Sequence, residues 1–345
     1  MEHYAGIDVS LEQCSICVVD ATGRIMREGK VPSEPEALVG FFGQLGQPVA
    51  RIGLEAGPLS QWLYTGMRMA GLAVELLETR HVRAAFKTMP VKTDRKDARG
   101  LAQLMRLGWF RSVHCKSLPA QETRALLTVR KLLQAKHHDV EMGLRGVLRG
   151  FGLKVGATTA RSFAGRVREL VDGHPTLSAL AGAMLAAREG LGEQLQVLEK
   201  RLRSLAREDA RTRLLMTVPG VGVIVALTYK AAIDDPARFR SSRSVGAHFG
   251  LTPRKYQSGA TDVTGRISKI GDSSVRTVLY EAANIILTRP VKGSALKSWA
   301  ARLAVRAGMR KAKVALARKL AVVLHRMLAD GTAFTAGRAA AAAAS

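Results

Sequence analysis

Aromatic residues are scarce in this chain, 5% of its 345 positions. No motif with paired aromatics is present, so the sequence offers none of the usual platforms on which RNA-recognition domains stack bases. Cysteine is scarcer still, with only Cys14, Cys17 and Cys115. Cys14 and Cys17 form a C-x-x-C, but no second pair completes a zinc site. They fall in a stretch that reads as a strand, where odd spacing puts them on opposite faces, so a structural role is expected. Three such cysteines suit a reducing cytoplasm. No apolar run is long enough to span a membrane, and Met1 leads directly into YAGIDVS, a strand rather than a leader peptide. Acidic residues are also few, 28 against 53 Lys and Arg, which leaves a formal net charge of +25.

That imbalance runs the whole length of the chain and points to a polyanionic partner. Neutralising phosphates supplies most of the affinity for nucleic acid. Solubility alone would not require so one-sided a charge. With 47% apolar residues the chain is folded, and its length suits two or three domains.

The N-terminal part alternates in the βαβ manner. YAGIDVS, QCSICVVD and RIMREGKV read as strands, with a turn at Ala21-Thr22-Gly23. A helix over Glu34–Leu45, a strand in VARIGLEA, a helix over Leu59–Met69 and a strand in LAVELLE follow, before a helical pattern opens at Asp94. The α/β pattern ends near Gly108. From about Pro119 to Arg213 helix formers dominate, and Leu191, Leu195, Leu198, Leu202 and Leu205 recur at steps of four and three. That spacing predicts the seam of a helical hairpin or coiled coil, serving as spacer or oligomerisation arm. His137 and His138 lie on a basic helix without the companions a metal site needs. Next, RLLMTVPGVGVIVALTYKAA reads as helix, Pro219-Gly220-Val221-Gly222, helix. This is a helix-hairpin-helix pattern, in which Gly220 and Gly222 would let backbone N–H groups approach a phosphate. A plain turn between helices would show the same residues. Basic helices then run from Ser294 to Ala307 and from Arg310 to Ala329, ahead of a low-complexity tail.

In so basic a chain the carboxylates invite individual attention. Asp8 sits within a strand between apolar neighbours, and Glu55 ends another strand beside a glycine turn. Asp94 and Asp97 are three apart at a helix start, hence on one face. A carboxylate at the core end of a strand is costly unless paired or metal-bound. Several converging from strand ends and a helix form an oxygen-only site suited to magnesium, which in pairs can activate an attacking oxygen and stabilise a leaving one. Taken singly, Asp94 could cap its helix and Asp97 could pair with Arg95 or Lys96. The ordered set of four is the more specific signal.

AGIDVS, GLEAGP and TDRKDARGLAQL, followed by LLMTVPGVG, FGLTPRKYQSG and GRISKIGDSSVR, resemble the DEDD transposases of bacterial insertion sequences, a family that includes Piv-type DNA invertases. The resemblance covers nearly the whole chain in order. It implies an α/β plus all-α protein: a ribonuclease H-like (RuvC-like) catalytic domain over 1–112, a helical coiled-coil spacer over 113–210, a mainly helical C-terminal transposase domain over 211–335 and a flexible tail over 336–345. By the match of motifs Asp8, Glu55, Asp94 and Asp97 take the four acidic positions and hold Mg2+. Ser258, in YQSG, takes the place of a nucleophilic serine. Gly259 then leaves room for a phosphate, and Arg254, Lys255, Arg266, Lys269 and Arg276 supply positive charge to the backbone. The segment around Ser258 is expected to be a flexible, basic loop. Many relatives carry two serines before the glycine, whereas Gln257 stands first here, and Ser268 is the other candidate.

The implied activity is metal-dependent DNA strand cleavage and rejoining through a phosphoserine ester. The implied partners are donor and target DNA, a structured guide (bridge) RNA and a second or further copy of the chain, as dimer or tetramer, in the cytoplasm at the nucleoid. A RuvC-type junction nuclease would need no serine, and a DNA-binding protein without catalysis would leave the carboxylates unexplained. A sugar-kinase-like ATPase shares the strand-Asp-turn start but would need a second phosphate motif that this sequence lacks.

Overall fold

The computed structural model describes residues 2–87, 93–259, 261–291 and 293–336. The chain divides into two compact units, Met1–Lys116 and Ser117–Ser345. Among the described residues no helix is long and apolar enough to cross a membrane. Residues 337–345 of the expected tail lie outside the described residues.

The first unit is a five-stranded sheet with helices on both faces. Its strands are β1 (His3–Val9), β2 (Gln13–Val19), β3 (Ile25–Pro32), β4 (Val49–Glu55) and β5 (Val74–Leu77), in the order β3-β2-β1-β4-β5. The β1–β2 and β2–β3 pairs are antiparallel, whereas β1–β4 and β4–β5 are parallel. An antiparallel meander joined to parallel strands through its first member is the ribonuclease H-like arrangement. Strand alternation sorts the apolar residues between faces. Ala5, Ile7, Cys14, Ile16, Val18, Ile52 and Leu54 pack with Leu38, Phe41 and Phe42 of α1 (Pro35–Gly43) and Leu63 and Met67 of α2 (Ser60–Met69). Tyr4, Cys17 and Val19 pack on the other face against Ala98, Leu101, Ala102 and Met105 of α4 (Asp94–Leu107). Cys14 and Cys17 are therefore buried free thiols on opposite faces, and burial pushes Cys17 up to about 11. A short helix, α3 (Thr79–Phe86), follows β5 and has no counterpart in the sequence reading.

The second unit is mainly helical. Pro119 and Pro175 stand in the first turns of two long helices, α5 (Leu118–Gly150) and α7 (Pro175–Glu208), where the absent N–H is harmless. The two run antiparallel, with Arg130 bonded to Glu199 and Arg188 to Glu141. With α6 (Phe163–Val171) they enclose a core of Leu144, Leu148, Phe163, Val167, Ala181 and Leu185. Of the leucine series only Leu202 is buried, beside Leu126 and Leu127 of α5. The other four are half-buried.

The larger core of this unit joins α8 (Ala210–Leu215), α9 (Val223–Ile233), α10 (Val245–His248), α11 (Ser273–Thr288), α12 (Ala295–Ala307) and α13 (Met309–Asp330). Between α10 and α11 the chain forms two antiparallel strands, β6 (Pro253–Ser258) and β7 (Thr261–Ile267). The segment carrying Ser258 is thus a β-hairpin, not the flexible loop expected. Thr261, Val263 and Thr264 favour extended backbone, and Gly259 supplies the positive φ of 55° at the tip. The segment has few core-forming residues, and the hairpin is almost wholly exposed. Main-chain pairing builds it instead.

Candidate functional site

Gly6 and Gly53 face each other in the β1–β4 register. A Cβ at Gly6 would stand 2.3 Å from the backbone N of Ala102 and 2.3 Å from the backbone O of Ala98. One at Gly53 would stand 2.7 Å from Met105 Sδ. The missing side chains form a channel in which α4 lies directly on the strand backbone. Alternation then gives Asp8 the face of Tyr4 and Gly6, and gives Glu55 the face of Gly53. Both strands run parallel, so both carboxylates leave the sheet at the same end, on the side covered by α4.

The direction of α4 brings its first turn to that end. Gln103 donates to the carbonyl of Gly23, in the turn at the opposite end of β1. At the near end, Lys30 Nζ lies 4.0 Å from Asp94, and the β3–β2–β1 register puts Lys30 level with Ser15 and Asp8. The N-cap is Thr93, whose hydroxyl accepts from the Lys96 N–H at 3.3 Å. Asp94 and Asp97 are therefore not spent on capping. Asp94 is exposed and Asp97 half-buried, and no ion pair links Asp97 to another described residue. Arg95, which the sequence offered as a partner for Asp97, turns instead to Glu28.

Glu28 holds this helix start in place and was not picked out from the sequence. Its carboxylate accepts from Arg95 Nε at 2.8 Å and from Arg99 Nε at 2.5 Å, with only 15% of its side chain exposed. The Arg99 and Arg95 guanidiniums hold its pKa down at about 2 against the opposing effect of burial. Only the pattern Arg-x-x-x-Arg, presenting two cations on one helix face, could have signalled a carboxylate opposite.

Asp8, Glu55, Asp94 and Asp97 thus share one end and one face of the first unit. Their chemistry, carboxylate oxygen alone, fits a hard divalent cation such as magnesium. Among the described residues, however, no group of three or more His, Cys, Asp or Glu is drawn close enough to hold a metal ion.

In the second unit Ser258 is the last residue of β6, exposed and paired with Thr261. The basic residues around it are placed unequally. Lys255 bridges to Asp262 at 3.1 Å, and Arg254 donates to the Ser268 carbonyl at 3.3 Å. Arg276 Nη1 donates to the carbonyls of Phe249 and Gly271 at 3.1 and 2.9 Å, so its guanidinium braces the base of the hairpin. Arg266 and Lys269 line a cavity beside the hairpin. The proposed phosphate-binding glycines differ in kind. Gly220, at φ 80°, would place a Cβ 2.9 Å from the Ala282 carbonyl, so close packing on α11 already explains it. Gly222 is the exposed N-cap of α9, with open space where a side chain would stand.

A family model for transposases, the IS110-type DEDD domain, matches residues 5–152. A second, described as the transposase IS116/IS110/IS902 family, matches residues 212–298. A probable family 20 transposase of Pseudomonas aeruginosa is 30% identical over 310 residues, covering 86% of this chain and 88% of the relative. The chain belongs to the IS110-type transposase family. The transposase for insertion sequence element IS1111A of Coxiella burnetii is 28% identical over 340 residues, 96% of this chain and 91% of its own length. That for IS1328 of Yersinia enterocolitica is 26% identical over 291 residues, 84% and 86% of the two chains. A solved structure, Thermus thermophilus RuvC with a Holliday junction substrate, aligns at 13% identity and a TM-score of 0.26, covering 33% of this chain and all of its own. That score is too low to bear weight, and the fold of this transposase rests on its sheet order. All four carboxylates lie in the first matched region, and Ser258 in the second. Helices α6 and α7 lie between the two.

Proposed function

We propose that this transposase cleaves and rejoins DNA by phosphoryl transfer, with Asp8, Glu55, Asp94 and Asp97 holding Mg2+ and Ser258 as nucleophile. The observation that supports the metal reading is the Gly6–Gly53 channel, which seats α4 so that two strand carboxylates and a helical pair leave one end of one face. When bound there, magnesium would neutralise charge on the scissile phosphate and its leaving oxygen.

The remaining work falls to the chain. The Ser258 Oγ attacks phosphorus, loses its proton to water or a carboxylate, and forms a phosphoserine ester as the bond to the leaving sugar oxygen breaks. The leaving oxygen takes up a proton. Rejoining reverses these steps with a new sugar hydroxyl, and the ester preserves the bond energy that hydrolysis would dissipate. Exposure at a hairpin tip suits Ser258 to reach a phosphate. Glu28, through Arg95 and Arg99, is a positioning residue for the helical carboxylates. We extend this reading to a structured guide RNA pairing with donor and target DNA, and to action as a homodimer or tetramer. The charge of +25 suits both nucleic acids.

The test is a covalent adduct on a nicked DNA substrate with its cognate RNA. Mass spectrometry should find DNA on Ser258, and Ser258→Ala should lose the adduct while retaining DNA binding. An adduct at Ser268, or at no serine, refutes the assignment. Mixing Ser258→Ala with Asp8→Ala protein should restore part of the cleavage if the site is assembled between chains.

A further inference from the structure

Beside the base of the serine hairpin lies a trough of about 1200 Å³, bounded by Pro253 and residues 264–267 on one side and by α12 and α13 on the other. It exceeds the roughly 300–1,000 Å³ of a small-molecule pocket, which leaves room for an extended chain. The lining is built from one face of α13. Lys311, Val314, Ala315, Arg318 and Val322 recur at helical spacing, while Leu316, Leu320 and Leu324 on the opposite face are buried in the core. A helix with one face in the core would ordinarily present a mixed polar surface on the other. Here that surface is aliphatic along its floor and cationic along its rim.

Seven of the lining residues are Lys or Arg and none is acidic. Among the described residues, Arg266, Arg310, Lys311 and Arg318 form no ion pair, and all four are exposed. Trp299 lines the same trough, with Lys319 Nζ 4.2 Å from its ring centroid. Burial holds Lys319 below the ordinary lysine value, an effect a neighbouring anion would oppose. Uncompensated cations of one sign around an aromatic and aliphatic floor match the two halves of an unpaired nucleotide. Phosphates meet the rim, and a flat base face meets the floor. Duplex DNA offers only the first of these, since its base faces are stacked inside.

We propose that this trough binds the single-stranded DNA leading away from the phosphate presented to Ser258, taking at least one unstacked base onto Trp299. The choice of that strand rests on the Ser258 reading. The affinity of the trough for single strands does not, and it is measurable without cleavage.

The full-length chain should bind a labelled oligothymidylate, and Lys311→Glu/Arg318→Glu should weaken that binding about tenfold or more. Binding of a duplex of equal length should fall much less. Both positions are exposed, and an unchanged circular-dichroism melting curve verifies the fold. Photo-crosslinking of an oligonucleotide carrying 5-iododeoxyuridine should mark Trp299. Equal weakening of single-strand and duplex binding, a stronger effect on RNA of the same sequence, or a crosslink away from the trough would each overturn the proposal. Loss of the serine adduct with this binding intact would refute the Ser258 reading alone.

Discussion

Gly6→Ala tests the idea that α4 is carried on bare strand backbone. The added Cβ would stand 2.3 Å from two backbone atoms of α4, Ala102 N and Ala98 O, and 2.6 Å from Leu101 Cβ. Carbon contacts are comfortable only near 3.5–4.0 Å, so the helix must lift by roughly 1 Å. Neither neighbour can swing aside, because both are main chain in the middle of a helix. Overpacking of this kind costs about 1–3 kcal/mol. The same lift moves Asp94 and Asp97 relative to Asp8 and Glu55, and a 1 Å misplacement is enough to lower a rate about 100-fold. Gly40→Ala is the matched control. Gly40 is exposed in α1 with nothing within 4 Å of its missing Cβ, so alanine there should stabilise by about 0.5–1 kcal/mol. Urea denaturation of the full chain, with hydrogen exchange of α4 peptides and magnesium-dependent strand cleavage, gives all three readouts. If Gly6→Ala exchanges and cleaves as the unaltered chain does, the channel does not position α4 and the reasoning fails.

Asp8→Ala, Glu55→Ala, Asp94→Ala and Asp97→Ala should each abolish recombination but leave DNA affinity within about twofold in a mobility-shift assay, since phosphate contacts set affinity and the carboxylates set chemistry. Full activity of Asp8→Ala would remove it from the site. Glu28 sets an acid limit on the first unit. Its pKa is depressed from 4.5 to about 2, so its contribution is complete above the unfolded value and disappears as pH falls through the interval between them. With 15% exposure this amounts to about 2–3 kcal/mol, and Glu28→Gln should flatten the acid limb of a stability-versus-pH curve between those values. An unchanged limb would show that Arg95 and Arg99 do not depend on Glu28.

Local chemistry carried much of this protein in its sequence. Alternation in AGIDVS and RIGLEA marks β1 and β4 and assigns their faces. Asp94-x-x-Asp97 ahead of an apolar period marks the start of α4, and Gly108, in the left-handed region at φ 66°, marks its end. Prolines 119 and 175 open the two long helices of the second unit. These signals act over one to four residues and need no partner from elsewhere in the chain.

What depends on distant partners came from the tertiary structure alone. The β1–β4 pairing that completes the strand order, with its Gly6–Gly53 register, spans more than forty residues, and no local period encodes it. Glu28 reads as one more charge in a polar strand until Arg95 and Arg99 fold over it. Gly220 reads as a phosphate-binding glycine until the Ala282 carbonyl is found against it. The serine hairpin was hidden for the converse reason. An exposed ribbon needs no apolar alternation, because each strand obtains its hydrogen bonds from the other rather than from burial. Sequence patterns report which face of an element avoids water. They do not report which distant backbone or charge will meet it, and in this chain that meeting decides where the carboxylates stand.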